Sequence, residues 1–290
     1  MCNLPITYCK QHAMRVISFI ACIIIINVAC ALAHADNRYP PDMLRILQRG
    51  KLIVATYSKE IPPFIYNNEN GTLGGIDIEI ANDIGQKLGV PVEFVRVTDN
   101  FNELPKPIID RQADVIISAF SKTLKRATQV FFTDDYVSLH KTLMLNRLAT
   151  SGLIDQKGSI NGLNNPAVTI GANEGSVYAD FLRELLPEAT IRLYKSHRTA
   201  APDIMSGAIA GFLCDETCAD HYNKQRSWNK VLPPVGWGIT VRTITLEKGQ
   251  DLIAMATHYN DTALHSWLNA YIAQAKMDGS LAKILAKYLN

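Results

Sequence analysis

The chain has 290 residues, 29 of them basic and 27 acidic, for a formal net charge of +2, and 48% are hydrophobic. That length accommodates two modest lobes or one large domain, and the near balance of charge gives no reason to expect a nucleic-acid partner. No G-x-S-x-G, H-E-x-x-H, Walker loop or G-x-G-x-x-G occurs, His258 and His265 lack a third ligand at metal spacing, and no cofactor or metal is expected.

The first stretch reads as an address. Ile17 to Ala33 is dominated by apolar residues, with basic Lys10 and Arg15 before it and small Ala31, Ala33 and Ala35 at its end. This is the order of a secretory signal peptide over residues 1–35, with cleavage expected between Ala35 and Asp36 and Met14 as a more compact start. A membrane anchor needs about 20 apolar residues, and this run falls short and is interrupted by Asn27. Lipid attachment at Cys30 is the lesser alternative, since Asn27 suits that signal poorly. Lys10 and Arg15 are the only charged residues removed, so 27 of the 29 basic residues then face all 27 acidic ones. Cys2, Cys9, Cys22 and Cys30 leave with the signal, and Cys214 and Cys218 remain. A disulfide between these two is expected in an oxidising compartment, on the argument that residues four apart share a helix face. Two buried free thiols are the alternative, and a metal site is weaker.

Past the signal, Tyr39 to Leu47 predicts a helix and Arg49 to Thr56 a turn and first strand. A loop with Pro62-Pro63-Phe64 leads to a hairpin turn at Asn70-Gly71, and a helix then ends at Leu88-Gly89. Pro91 to Val97 alternates as a strand, and Leu104 to Arg111 reads as a short helix. The β-branched Val115-Ile116-Ile117 run is a buried strand. It runs through Ser118-Ala119-Phe120-Ser121 into a helix capped by Thr123, with Arg126 one turn in. Such a turn presents free N–H groups and hydroxyls at the C-terminal edge of a sheet, where open α/β sheets take ligands, and Arg126 adds a planar fork for a carboxylate. The plain alternative is a solvated arginine on an amphipathic helix.

Leu139 to Leu145 predicts a strand leaving the first lobe, and residues 150–165 a surface connection. A second α/β unit follows, with a strand at Ala167 to Gly171, a helix opened by Gly175-Ser176, and a strand at Ile191 to Tyr194. Arg198 to Ser206 is helical, Ile209 to Leu213 a strand delivering Cys214-Asp215, and Cys218 to Asn223 a helix. Ile239 to Leu246 and Leu252 to Ala256 return, and Leu264 to Leu289 is amphipathic with a break at Asp278-Gly279. Strand alternating with helix predicts a doubly wound, mostly parallel sheet.

Ser118-Ala-Phe-Ser-Lys-Thr-Leu-Lys-Arg126, followed by Val130-Phe-Phe-Thr-Asp-Asp-Tyr136, resembles the signature of periplasmic solute-binding proteins of amino-acid ABC importers, family 3. Arg49-Gly-Lys-Leu, Pro62-Pro63-Phe64, the Gly75-Ile-Asp-Ile-Glu stretch and Arg111-Gln-Ala-Asp114 follow the same pattern in order, with Asp135 in place of the usual proline. The resemblance implies a two-lobed α/β Venus-flytrap fold: lobe 1 over 36–138, lobe 2 over 139–240, and a return crossing with C-terminal helices rejoining lobe 1 over 241–290. It implies that Arg126 and Ser121 hold a ligand's α-carboxylate, that Ser176 (threonine in the family) supports it from lobe 2, and that Asp215 takes the α-ammonium. Asp215 is equally suited to capping the next helix. Ala119 shares the binding turn. Ile61 stands where the family has a stacking aromatic, Phe101 where many members line the pocket, and Asp77 is expected to order the turn before its own helix.

The function implied is capture of a free amino acid or small organic acid by hinge closure, as a monomer in the periplasm, and delivery to an inner-membrane ABC permease, without catalysis. Glu60 and Glu174 near the cleft hint faintly at a cationic side chain. Two alternatives stand beside this. One is a periplasmic dehydratase of a cyclic carboxylic acid; the other is an accessory binding protein for a periplasmic dehydrogenase. No fused kinase or transglycosylase is expected.

Overall fold

The computed structural model describes residues 39–223 and 234–289, so the expected signal peptide lies outside the described residues. Helix α1 (Pro41–Arg49) starts on a proline that fits the first turn and ends on Gly50 in the left-handed region. The first lobe continues with β1 (Leu52–Tyr57), the hairpin β2 (Tyr66–Asn67) and β3 (Leu73–Gly74), α2 (Ile76–Leu88), β4 (Val92–Thr98), α3 (Lys106–Ile109), β5 (Val115–Ile116) and α4 (Leu124–Ala127). A 16-residue strand, β6 (Phe131–Asn146), carries the chain into the second lobe. There follow β7 (Thr169–Asn173), α5 (Val177–Leu185), β8 (Thr190–Tyr194), α6 (His197–Ser206), β9 (Gly211–Asp215), α7 (Glu216–Asn223) and α8 (Trp237–Thr240). The 17-residue β10 (Val241–Thr257) returns, and α9 (Thr262–Met277) and α10 (Ser280–Leu289) close the chain.

One eight-stranded sheet runs through both lobes in the order β4-β1-β5-β10-β6-β9-β7-β8. The outer strands pair in parallel, β4 with β1 and β1 with β5 at one end, β9 with β7 and β7 with β8 at the other. The central β10 and β6 are antiparallel to each other and to β5 and β9. The two ends therefore repeat one topology, with β7, β8 and β9 standing as β1, β4 and β5 do.

Successive residues of a strand face opposite sides, and here both sides are buried. Val54, Val115, Ile117 and Met255 join a core beneath α2, α9 and α10, while Ala55, Ile116, Ala254 and Ala256 face a second cluster with Leu104, Ile108 and Phe132. In the second lobe Leu143, Leu145 and Leu213 pack with Ile170 and Leu182, and Met144 and Phe212 pack on the opposite side with Ile204 and Trp237. Along β6 the first-lobe core reaches Leu139 and the second-lobe core starts at Leu143; along β10 the change falls between Leu246 and Ile253.

Two expectations change in form. The strand read as starting at Leu139 begins at Phe131, because the polar Thr133-Asp134-Asp135 run hides its alternation. The two returning strands are one β10, whose pairing with β6 is interrupted between Thr245 and Gln250, where Gly249 has φ +93.

Candidate functional site

The C-terminal ends of β1 and β5 face those of β7 and β9, and between them lies a cavity of about 80 Å³. Ile61, Phe101, Ala119, Ser121 and Arg126 line it from the first lobe, and Ser176 and Asp215 from the second. The structure thus brings together every site residue expected from sequence, although Arg126 and Asp215 are 89 positions apart in the numbering. Roughly 10–15 Å³ admits one water, so the space fits a small solute.

The turn after β5 is held by a residue that sequence placed elsewhere. Ala119 has φ +43, a left-handed conformation that costs a residue with a Cβ about 1–2 kcal/mol. Asp77, fully buried, accepts from the Ala119 N–H at 2.6 Å through one oxygen and from the Tyr136 hydroxyl at 2.6 Å through the other. Asp77 therefore orders the binding turn rather than the start of its own helix, and burial pushes its carboxyl up to about 7 against the lowering effect of those two donors. Ser118 Oγ accepts from the Tyr57 N–H at 2.8 Å, tying the turn to β1. Ser121 is stitched to β10: it bridges to Ile253, its Oγ donates to Asp251 Oδ2 at 3.0 Å, and the Lys122 N–H donates to Leu252 O at 2.8 Å.

Thr123 caps α4 as expected, accepting from the Arg126 N–H at 3.1 Å. The Arg126 side chain is not solvated: the residue is 4% exposed and its guanidinium lies 4.5 Å from the Phe120 ring centre. Nη1 donates to Ser121 O at 2.9 Å, and Nη2 reaches across to Gly175 O at 3.3 Å. Among the described residues no carboxylate stands within ion-pair distance of it, and burial lowers it to about 10 while Asp251 opposes the shift.

In the second lobe Ser176 is the first residue outside α5, and its Oγ donates to Asn173 O at 2.7 Å. Asp215 holds both roles that sequence left open. Its Oδ1 caps α7, accepting from Thr217 Oγ1 at 2.5 Å and the Cys218 N–H at 3.0 Å, and its Oδ2 is 3.2 Å from the Tyr178 hydroxyl at the cavity wall. Tyr178 also stands 2.9 Å from Asp251 Oδ2, so one phenol bridges a second-lobe carboxylate and a crossing-strand one. Burial, together with Asp215 and Asp251, pushes Tyr178 far up, and burial raises Asp251. The cavity consequently has a cation, Arg126, at one wall and a carboxylate, Asp215, at another.

Sequence reading missed Tyr178 and Asp251, which carry no motif; only the pairing of β10 with the turn brings Asp251 to Ser121. It also missed His197, which lines the cavity beside Cys214 and Cys218. The disulfide expected there is absent: both cysteines are free and buried. Cys214 belongs to β9 and Cys218 to α7, so the shared helix face on which the expectation rested does not exist, and the two thiols stand reduced. Glu60 and Glu174 do not line the cavity; Glu60 accepts from Asn67 and lies 4.0 Å from Arg198, and Glu174 pairs with Lys195 at 2.7 Å. A wider cavity of about 630 Å³ lies on the other side of Arg126, bordered by Lys122, Lys141, Arg183 and Asp251. Lys122 and Lys141 donate to backbone carbonyls there, and the expected residues line the smaller space.

The sequence model of the bacterial extracellular solute-binding proteins, family 3, matches residues 52–290. The Arginine-binding periplasmic protein of Mannheimia haemolytica is 24% identical over 234 residues, covering 79% of this chain and 87% of its own length. The Cyclohexadienyl dehydratase of Pseudomonas aeruginosa is 28% identical over 165 residues, covering 56% and 58% respectively. In fold, the chain is similar to a crystal structure of an ancestral amino acid-binding protein, a precursor of cyclohexadienyl dehydratase, with a TM-score of 0.72, 24% identity, and coverage of 86% of this chain and 99% of that one.

Proposed function

The chain belongs to the bacterial extracellular solute-binding proteins, family 3, and on that premise we propose that it captures a free amino acid between its lobes and presents the closed form to an ABC permease. The observation that carries this is Arg126, a buried cation that has no carboxylate partner among the described residues, at the wall of a cavity whose other wall holds Asp215. A buried charge lacking an opposite charge is costly, and a zwitterion's carboxylate relieves that cost while its ammonium meets Asp215. Ser121 and Ser176 flank the carboxylate end. In this reading residues 36–138 form lobe 1, 139–240 form lobe 2, and 241–290 return and rejoin lobe 1. The protein acts as a monomer in the periplasm, and closure is driven by the ligand's higher affinity for the closed state.

Relatives named for arginine do not set the ligand here. Ile61, Phe64, Leu139 and Ile253 make much of the remaining wall apolar, Asn173 and Thr217 add uncharged polar groups, and both nearby glutamates are engaged outside the cavity. The space and its lining favour a small, uncharged side chain. A thermal-shift screen of the reduced protein against the amino acids tests this, because a ligand that binds only the folded state raises the melting temperature by mass action. Small neutral amino acids are expected to outrank arginine. If no amino acid or small organic acid shifts the transition, the reading fails.

One observation favours a second reading. Asp251 is a buried acid raised by its surroundings, hydrogen-bonded to Tyr178 and Ser121, in a chain 28% identical to a cyclohexadienyl dehydratase over 165 residues. Chromatographic detection of dehydration of a prephenate-like compound, abolished in Asp251→Asn, would replace binding by catalysis.

A further inference from the structure

Three groups at the cavity take no part in holding a zwitterion: Cys214, Cys218 and His197. They converge from three elements. Cys214 is the next-to-last residue of β9, just before Asp215, Cys218 sits in the first turn of α7, and His197 opens α6. All three side chains line the same cavity. Structural cysteines are usually surrounded by apolar side chains and inert. These two belong to the apolar cluster of Phe212, Tyr222 and Trp237, yet with His197 they also line the ligand space. Among the described residues no group of three or more His, Cys, Asp or Glu side chains is arranged to hold a metal, so the cluster is read through its sulfur chemistry.

We propose that Cys218 and Cys214 form a dithiol that exchanges with low-molecular-weight disulfides admitted to the cleft. The inference rests on the cavity being the ligand cleft. Cys218, as thiolate beside protonated His197, attacks one sulfur of R–S–S–R. A bond forms between Cys218 and that sulfur, the original S–S bond breaks, and the departing RS⁻ takes the proton from His197. Cys214 then gives its proton to His197 and attacks the Cys218 sulfur. The intramolecular disulfide forms, and the second RS⁻ leaves and takes that proton. Two protein thiols are oxidised while one small disulfide is reduced to two thiols, with the small disulfide as oxidant.

The electrostatics agree with the order of attack. Burial alone would raise Cys218, but the Cys214 hydrogen bond and His197 bring it down to about 6. Burial and the neighbouring Cys218 push Cys214 well above the ordinary thiol range, which suits the resolving partner. Burial alone would lower His197, and the charge and hydrogen bond of Cys218 raise it. The charged and titratable groups facing this trio are Asp215 at the end of β9, Arg198 on α6, Tyr178 on α5, and His221 and Tyr222 on α7; Asp215 opposes the thiolate.

The test is mass spectrometry with peptide mapping on the reduced protein exposed to excess cystine or, separately, oxidised glutathione. The unsubstituted protein is expected to lose both thiols at Cys214 and Cys218 and keep no adduct. Cys214→Ser is expected to trap half of the small disulfide on Cys218, and Cys218→Ser to react at least about tenfold more slowly, because the activated thiolate is gone. In Cys214→Ser, the rate of Cys218 alkylation should rise with pH below the ordinary thiol range because His197 remains, and adding His197→Gln should move that rise upward. Absence of reaction in the unsubstituted protein, or an adduct forming on Cys214 in preference to Cys218, overturns the proposal. The amino-acid screen is run on the same reduced sample. An amino acid that stabilises a protein inert to both disulfides leaves the binding reading intact and sinks the dithiol alone.

Discussion

Arg126 sets the energetics of the empty site as well as the filled one. Among the described residues its guanidinium has backbone oxygens and the Phe120 ring for partners, so its burial is a cost that a carboxylate ligand, bound as proposed, would offset. Arg126→Ala removes two hydrogen bonds and that cost together, and the melting temperature of the ligand-free protein is expected to stay within a few degrees. Affinity is expected to fall at least tenfold, since leaving a buried charge unpaired forfeits roughly 2–5 kcal/mol and about 1.4 kcal/mol suffices for a factor of ten. Asp215→Asn should weaken binding similarly while keeping the cap on α7, because asparagine caps as well as aspartate. Titration calorimetry and melts on the same samples check both; a variant that binds normally places its residue outside the site. Asp77 gives a pH signature. Burial raises its carboxyl from the ordinary 3.8 to about 7 in the folded protein, so the folded state binds the extra proton between those values. Stability is then highest below the unfolded value and falls as pH rises toward 7, by up to about 1.4 kcal/mol per unit from this group. Urea midpoints between pH 4 and 7 should show this decline, and Asp77→Asn should flatten it.

At the scale of elements, local signals were legible and distant partnerships were not. The β-branched run of β5, the Thr123 cap and the position of Arg126 follow from residues within a dozen positions of one another, as do α1 and α2 with their glycine ends. Tyr136 and Asp77 are 59 positions apart, and Ser121 and Asp251 130 apart, so only tertiary pairing reveals them. The thiols were misjudged for a local reason: spacing of four suggests a shared helix face, yet β9 ends and α7 begins between them. The β7–α5 turn offers a test at this scale. Gly175 has φ +71, and a Cβ there would come within 2.1 Å of Asn100 Oδ1 on the opposite lobe. Gly175→Ala should therefore obstruct closure and lower affinity at least about tenfold, and Asn100→Ala in the same chain should recover part of it by relieving the contact while the backbone strain persists. Full affinity in Gly175→Ala would show that the lobes do not need to approach this closely.

Across the whole molecule, the two lobes are joined by β6 and β10, neighbouring strands hydrogen-bonded to each other on both sides of the break at Thr245–Gln250. Scattering from the protein with and without a stabilising amino acid should show a smaller radius of gyration in its presence, and Gly175→Ala should show little change. An unchanged radius in the unsubstituted protein would remove closure from the proposed function. The binding turn is not merely near this junction. Through Ser121, Lys122 and Phe120 it is fastened to residues 251–254 of β10, directly past the interruption. On the proposed reading it would serve as the short arm of a lever whose pivot is the crossing strand: a pull on Arg126 would reach the joint as torque, and a twist imposed on the joint would loosen the grip, so a partner that pried the lobes apart would not need to touch the ligand to release it.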